Sequence, residues 1–335
     1  MCKKRIVVIC PGRGSYTRET NGYLKTNEAK TKDNIEWMNE KRKEENLPTI
    51  SILDTLPFKA KIHMAGENAS SLIYACSLSD FLAINQDKYE IVAITGNSMG
   101  WYTALALGGA LNLKNAFHLI QTMGSMMKDR MIGGQIIYPL VDDNWQEDES
   151  IKEIVLNEID AYISILLGGY IVIGGEQKVL DILLKKLPAK DKYPLQLPFH
   201  AAFHTPLMKS VSAQAKVELH HSLFEKPLVP LVDGRGNIWR PHSTDTLALH
   251  QYTLGHQVTK TYDFTSAIVV AMKEFCPDKL VLLGPGTNLG GSIGQIIIKH
   301  DWLDLNSKSA FINLQKTSPY LISMGIENQS EIVSG

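Results

Sequence analysis

The sequence is poor in cysteine and contains no paired cysteine motif. Its four cysteines, among 335 residues, occur singly. This excludes a disulfide framework or a thiolate zinc site and predicts a reducing, cytoplasmic environment. No run of about 18 uncharged apolar residues is present, so no membrane-spanning helix is predicted. The apolar run 6–10 is too short for the core of a signal peptide.

The chain also lacks an excess of charge of either sign. Its 34 basic and 35 acidic residues leave a net charge of −1 at pH 7. Such a balance produces no long-range field for a nucleic acid or an anionic membrane, so neither is predicted as a partner. An anionic ligand would have to be held by a local site.

Two apolar runs typical of buried strands each end in a glycine-rich bend. Residues 5–10 run into Pro11-Gly12-Arg13-Gly14-Ser15, and residues 89–95 run into Gly96-Asn97-Ser98-Met99-Gly100. The remaining elements alternate between helix and strand, which predicts an α/β fold with a parallel sheet covered on both faces. The helical patterns cover 67–85, 101–111, 113–130, 205–223 and most of 246–273, and further strands are predicted at 228–232 and 280–283.

The block 131–199 interrupts this alternation. Its elements follow the order β-α-β-β-α-β, which is typical of a ferredoxin-like module. The predicted strands are 134–141, 162–167, 170–174 and 193–199, and the predicted helices are 149–160 and 176–187. We therefore predict an α/β core formed by 1–130 and 200–335, with 131–199 as an inserted subdomain.

Two further segments give weaker signals. The charge-rich stretch 27–46 predicts a solvated surface helix or mobile loop. The last segment, 303–335, has little hydrophobic pattern and yields no firm prediction.

The second glycine-rich bend predicts a nucleophile. Gly96-Asn97-Ser98-Met99-Gly100 is a G-x-S-x-G pattern between an apolar strand and an apolar helix. In such an elbow a sharp turn exposes the serine hydroxyl, and the glycines avoid clashes with neighbouring backbone. The helix N-terminus behind Ser98 offers free N–H groups to an oxyanion. The alternative is a glycine-rich turn with an incidental serine.

A serine nucleophile needs a base, and one tract supplies two histidines. His200 and His204 lie between a predicted strand and a predicted helix. Their i, i+4 spacing could suggest a metal pair. However, no Glu lies between them as in H-E-x-x-H, and no third ligand is evident, so no metal is predicted.

Five motifs in order give the chain a recognisable resemblance. The motifs are Pro11-Gly12-Arg13-Gly14-Ser15, Gly96-Asn97-Ser98-Met99-Gly100, His204-Thr205-Pro206-Leu207-Met208, Gln257 within His256-Gln257-Val258-Thr259, and Gly284-Pro285-Gly286. With these motifs the chain resembles the malonyl-CoA:acyl carrier protein transacylase family, which includes the acyltransferase domains of fatty acid and polyketide synthases. That resemblance implies an α/β-hydrolase-like core with an inserted ferredoxin-like subdomain.

The resemblance also implies roles for individual residues. Ser98 would be the nucleophile and His204 its base, with the backbone carbonyl of Gln257 orienting the imidazole. The backbone N–H groups of Met99 and Arg13 would form the oxyanion hole. His200 would be a structural neighbour at the acyl pocket.

The chain departs from the family pattern at position 13, where the family has glutamine and this chain has Arg13, and at the acyl pocket. The arginine that pairs with the malonyl carboxylate falls on Met123, the usual histidine before the nucleophile is Asn97, and the usual glutamate after the elbow is Trp101. A thioether cannot pair a carboxylate, so an uncharged acyl group is expected. Arg13 could replace the missing cation, contact a phosphate of the substrate, or lie at the surface, whereas Arg130 lies about 10 Å farther along the helix.

These implications lead to one main expectation. The chain would transfer a short, non-malonyl acyl group from acyl-CoA to the phosphopantetheine thiol of an acyl carrier protein, in fatty acid or polyketide synthesis, without a bound cofactor. Three alternatives remain open: an acyl hydrolase acting on carrier proteins, a malonyl transferase that uses Arg13, and an inactive carrier-binding paralogue. A general esterase would need a carboxylate beside the base, and Asp233 is a weak candidate.

Overall fold

The strands form two sheets in the computed structural model, which describes residues 2–26, 28–128, 131–158 and 160–335. The strands are β1 (Lys4–Cys10), β2 (Tyr89–Gly96), β3 (Gly134–Pro139), β4 (Tyr162–Leu167), β5 (Tyr170–Gly175), β6 (Leu195–Gln196), β7 (Leu231–Val232), β8 (Ile238–Trp239), β9 (Tyr262–Asp263), β10 (Lys279–Leu282) and β11 (Leu321–Ser323).

Helices connect these strands. They are α1 (Glu28–Glu44), α2 (Ile50–Thr55), α3 (Ala60–His63), α4 (Gly66–Ala83), α5 (Gly100–Leu107), α6 (Leu113–Ser125), α7 (Ser150–Leu156), α8 (Gln177–Lys186), α9 (Lys209–Glu218), α10 (Thr246–Gln251), α11 (Gln257–Thr259), α12 (Phe264–Phe275), α13 (Gly290–Lys299), α14 (Lys308–Thr317) and α15 (Glu327–Ser334). Short 3-10 turns lie at Tyr23–Thr26, Pro206–Met208, His221–Leu223 and Trp302–Asp304, and a π-helical segment spans Tyr252–His256.

The first sheet is the core of the molecule and has the strand order β11-β10-β1-β2-β7-β8. All of its neighbouring strands are parallel except β7 and β8. Residues Ile6 to Ile9 of β1 are fully buried, as expected for a strand covered on both faces. The predicted α/β fold with a parallel sheet is therefore confirmed.

The second sheet has the order β6-β3-β5-β4-β9. Its first four strands pair antiparallel and come from the predicted β-α-β-β-α-β block. The fifth strand, β9, comes from residues 262–263 and pairs parallel with β4. The division into 1–130 with 200–335 and 131–199 stays a prediction, and this pairing crosses it.

Several predicted elements differ from those observed. Most of 246–273 is helical as predicted, but β9 separates α11 from α12 because its two residues pair with the second sheet. The predicted strand 193–199 is reduced to two residues. Segment 303–335 forms α14, β11 and α15, and β11 joins the core sheet. Helix α6 ends at Ser125, and Arg130 lies outside the described residues.

Helix α1 forms where the charge-rich stretch was predicted to be a solvated helix, but one side of it is buried. Thr31, Ile35, Met38 and Arg42 are buried, and they recur at the spacing of one helix face. Among the residues that the structure describes, no helix is long and apolar enough to cross a lipid bilayer.

Candidate active site

Ser98 lies at a strained bend between β2 and α5. Its φ of 54° lies in the left-handed region, which residues other than glycine rarely adopt. The neighbouring backbone permits this bend only with glycine at two positions. An ideal Cβ on Gly96 would lie 2.3 Å from the carbonyl oxygen of Gly100, and one on Gly100 would lie 2.2 Å from the carbonyl oxygen of Cys10. The bend therefore has the backbone form of a nucleophile elbow.

His204 lies between Ser98 and Gln257. Its Nε2 atom is 2.8 Å from Ser98 Oγ, and its Nδ1 atom is 2.5 Å from the backbone carbonyl oxygen of Gln257. Because a carbonyl oxygen can only accept, Nδ1 carries the hydrogen and Nε2 presents its lone pair to the hydroxyl. This arrangement can draw a proton from Ser98.

The end of α11 holds this imidazole in place. The helix ends at Thr259, so its last carbonyl groups have no helical N–H partner. His204 uses two of them: Nδ1 bonds to the carbonyl of Gln257, and its backbone N–H bonds to the carbonyl of Val258 at 2.8 Å. A π-helical segment directly precedes Gln257.

The side chain of Gln257 also ties α11 to the elbow. Its Nε2 donates to the backbone carbonyl of Ser98 at 3.1 Å, and its Oε1 accepts from the hydroxyl of Tyr102 at 2.9 Å. Tyr102 was missed by sequence reasoning, which chose its neighbour Trp101. Its position four residues after Ser98 was the available signal, because residues four apart share one face of a helix.

Burial keeps His204 neutral. Its side chain is 1% exposed, and desolvation lowers the pKa of the imidazole to about 4, although the carbonyl of Gln257 opposes this shift. At neutral pH the group is therefore an unprotonated base. Asp233, the weak candidate for a third carboxylate, pairs instead with Arg235 at 2.6 Å and with Trp239 at 2.9 Å.

Two backbone N–H groups beside Ser98 are free. Within the described part of the chain, neither the N–H of Met99 nor that of Arg13 donates a hydrogen bond. Both residues line the same cavity as the hydroxyl. Free donors at this place can bind the oxygen of a tetrahedral intermediate.

The hydroxyl of Ser98 opens into a cavity of about 570 Å³. Its walls are largely apolar and come from both sheets. The charged residues among its described lining are Arg13 and Lys192, and no aspartate or glutamate is among them. Within the described residues, no group of three or more metal-ligating side chains is placed to hold an ion.

The cavity brings together eight of the nine predicted site residues, which are Arg13, Asn97, Ser98, Met99, Met123, His200, His204 and Gln257. The ninth, Trp101, was wrongly predicted to line the acyl pocket. It is fully buried, its indole N–H donates to Thr253 at 3.0 Å, and its ring packs edge-on against Tyr252. These contacts fill the core behind the elbow.

His200 and Arg13 lie together in this cavity. Burial and the nearby guanidinium of Arg13 lower the pKa of His200 to about 3, so this imidazole is also neutral. Its Nδ1 atom is buried and has no partner in the described residues. Burial lowers the pKa of Arg13 to about 10, which leaves it protonated at neutral pH.

Comparison with known proteins finds malonyl CoA-acyl carrier protein transacylases as relatives at modest sequence identity. No protein-family model matches the chain. The malonyl CoA-acyl carrier protein transacylase of Salmonella typhimurium is 26% identical over 215 residues, which cover 61% of this chain and 65% of the relative, just under two thirds of its length. The enzyme of the same name from Haemophilus influenzae is 24% identical over 236 residues, covering 68% and 71%.

Solved structures cover nearly the whole chain. The malonyl-CoA:ACP transacylase of Synechocystis superposes with a TM-score of 0.77 at 15% identity and covers 98% of this chain and 99% of its own. A malonyl-transacylase in complex with a type II PKS acyl-carrier protein has a TM-score of 0.74 at 19% identity, covering 99% of each. The chain thus has the fold of the malonyl-CoA:acyl carrier protein transacylases and is similar to them in sequence.

Proposed function

We propose that the chain is an acyltransferase that moves an acyl group from acyl-CoA to the phosphopantetheine thiol of an acyl carrier protein. The single observation that carries this proposal is the contact of Ser98 with a neutral, oriented His204 at the wall of a cavity. A paralogue without activity would have no reason to keep this arrangement. Fatty acid or polyketide synthesis is the process in which such a transfer is used.

The reaction divides into two half-reactions. Ser98 Oγ attacks the thioester carbonyl carbon while His204 Nε2 takes its proton, and the N–H groups of Met99 and Arg13 bind the oxyanion. The imidazolium then protonates the leaving sulfur of CoA. In the second half-reaction His204 takes the proton of the carrier thiol, the thiolate attacks acyl-Ser98, and the proton returns to Ser98 Oγ.

We further propose that the acyl group is short and uncharged. Met123, to which the motif resemblance assigns the position of the carboxylate-binding arginine, is buried and lines the cavity. A buried carboxylate without its partner costs about 3–5 kcal/mol. At about 1.4 kcal/mol per tenfold change, malonyl transfer would be roughly two to three orders of magnitude weaker than in an enzyme with that arginine.

Arg13 is the cation that could supply this partner, and its contacts oppose that role. Its Nη2 group donates both hydrogens, to the carbonyl oxygens of Phe199 at 2.6 Å and Met64 at 2.9 Å. Each edge of a guanidinium that can hold a carboxylate bidentately includes one Nη2 hydrogen. A carboxylate would therefore gain one hydrogen bond from Arg13 where an unoccupied arginine offers two.

Incubation with acetyl-, hexanoyl- and malonyl-CoA, followed by intact-mass measurement, tests this function. We expect an acyl adduct with the uncharged thioesters and none in Ser98→Ala. Absence of every adduct in the wild type would contradict the proposal. Faster labelling by malonyl-CoA than by the uncharged thioesters would show that the pocket accepts a carboxylate, with Arg13 as the cation that binds it. Addition of holo carrier protein then separates transfer from hydrolysis, because a hydrolase loses its adduct at the same rate without the carrier.

A further inference from the structure

We infer that the side chain of Arg13 positions the catalytic base by joining the loop of the oxyanion donor to the loop that carries His204. This inference rests on the proposed function. Arg13 belongs to the bend after β1, and its backbone N–H is one of the two free donors beside Ser98. Its side chain thus acts on a second component of the same site.

The segment 199–204 has little regular structure of its own. It begins with Phe199 at φ 60° and ends with His204 at φ 62°, two left-handed residues that glycine would adopt more easily. Such conformations persist only where surrounding contacts enforce them. Hydrogen bonds to Ile132 and Val258 hold the later part of the segment, through the N–H groups of Ala202 and His204.

Arg13 holds the beginning of that segment. Its Nη2 group bonds both to the carbonyl of Phe199 and to the carbonyl of Met64, which lies between α3 and α4. Among the described residues no carboxylate lies within ion-pair distance of this guanidinium, although the negative charge of Glu67 raises its pKa, and its buried Nε atom has no hydrogen-bond partner there. The half-buried guanidinium has backbone carbonyls as its hydrogen-bond partners, so we assign it the role of joining the two loops that carry them.

Loss of this bridge would shift His204 relative to Ser98 and to the incoming thioester carbonyl. Misplacement of a catalytic group by about 1 Å can cost about 100-fold in rate. The family pattern has glutamine at position 13, so Arg13→Gln keeps the backbone donor while it removes the two-carbonyl bridge. We expect this variant to lower the rate of acyl-Ser98 formation about 10- to 100-fold, equally for acetyl- and malonyl-CoA, through kcat with little change in KM.

The experiment compares Arg13→Gln, Arg13→Lys and the matched control Arg18→Gln, an exposed arginine of the same loop. Ser98 labelling by a fluorophosphonate probe is measured beside acylation by each thioester. An ammonium group can reach one of the two carbonyls, so Arg13→Lys should recover part of the labelling rate. Arg18→Gln should label at the wild-type rate.

Each outcome decides the inference. Equal losses in probe labelling and in both acylations, at an unchanged melting temperature, support the positioning role. A loss confined to malonyl-CoA would make Arg13 a carboxylate ligand, and unchanged labelling in Arg13→Gln would overturn the inference. Because the probe needs no acyl substrate, a wild type that labels with the probe but accepts no thioester contradicts the proposed function alone.

Discussion

Gly96 lies so close to the backbone of Gly100 across the bend of Ser98 that position 96 cannot carry a side chain. A Cβ on Gly96 would lie 2.3 Å from both the carbonyl carbon and the carbonyl oxygen of Gly100. The obstacle is backbone, which cannot rotate away as a flexible side chain could. Glycine at position 96 is therefore a condition for the geometry of the elbow, beyond any part it has in a sequence motif.

Substitution Gly96→Ala should destabilise the protein and disable the site. Overpacking of this kind typically costs 1–3 kcal/mol, and a backbone obstacle places the cost at about 3 kcal/mol or more. Urea unfolding gives the free energy, and probe labelling of Ser98 reports the site. The control is Gly290→Ala, where a Cβ meets nothing within 4 Å. If Gly96→Ala has the same free energy of unfolding as the control, the close approach of Gly96 to the backbone of Gly100 does not constrain the bend.

The pH dependence of acylation should be that of a strongly desolvated imidazole. Burial lowers the pKa of His204 to about 4, and the base must be unprotonated to act. The value of kcat/KM should therefore stay constant from neutral pH to about pH 5 and fall tenfold per unit below about pH 4. Circular dichroism at each pH confirms that the protein is folded. An inflection near 6.5 would mean that the imidazole is solvated and that the site is open to water.

The same shift makes His204 a source of acid sensitivity. Its folded pKa lies below the ordinary value of 6.5, so the unfolded chain binds more protons between about pH 4 and 6.5. The contribution of His204 to the free energy of unfolding is therefore complete above pH 6.5 and decreases as the pH falls through that window.

Arg42 should contribute more to stability than any exposed cation of α1. It is fully buried and donates to neutral oxygens of three elements, including Asn68 and Gln121, each at 2.5 Å. Arg42→Met leaves the Oδ1 atom of Asn68 buried without a donor and leaves the Oε1 atom of Gln121 with the hydroxyl of Ser71 as its donor, which should cost about 3 kcal/mol in urea unfolding. The matched control is Lys41→Met, whose exposed pair with Glu44 is worth less than about 1 kcal/mol. Equal effects of the two substitutions would contradict a structural role for Arg42.

The sequence predicted those parts of the fold whose signal is local. Continuous β-branched runs identified β1 and β2, and the glycine-rich bends after them identified Ser98 and Arg13. It did not predict β9 or β11. Each is two or three residues long, and each exists because it pairs with a strand that is distant in the sequence.

The sequence analysis also failed to predict the direction of some helical side chains. Composition alone made the stretch 27–46 a solvated helix, although the spacing of Thr31, Ile35, Met38 and Arg42 marks one helix face. Alignment alone placed Trp101 in the acyl pocket, whereas the helix directs it into the core and Tyr102 towards Gln257. A helical-face analysis of short segments would have corrected both.

The acyl preference should change when the family pattern is restored at two positions. Met123→Arg places a second cation at the wall of the cavity that Arg13 also lines. Two cations in one largely apolar cavity repel each other. We therefore expect Met123→Arg alone to gain little malonyl transfer and to lose stability.

The double variant Met123→Arg with Arg13→Gln removes this repulsion. It should raise the ratio of malonyl to acetyl adduct on Ser98 by about 10-fold or more over the single variant, because one unopposed arginine can then pair the carboxylate bidentately. Intact mass after incubation with an equimolar mixture of the two CoA thioesters gives this ratio directly. If the single variant already prefers malonyl-CoA as strongly as the double variant, Arg13 does not influence the binding of the acyl group.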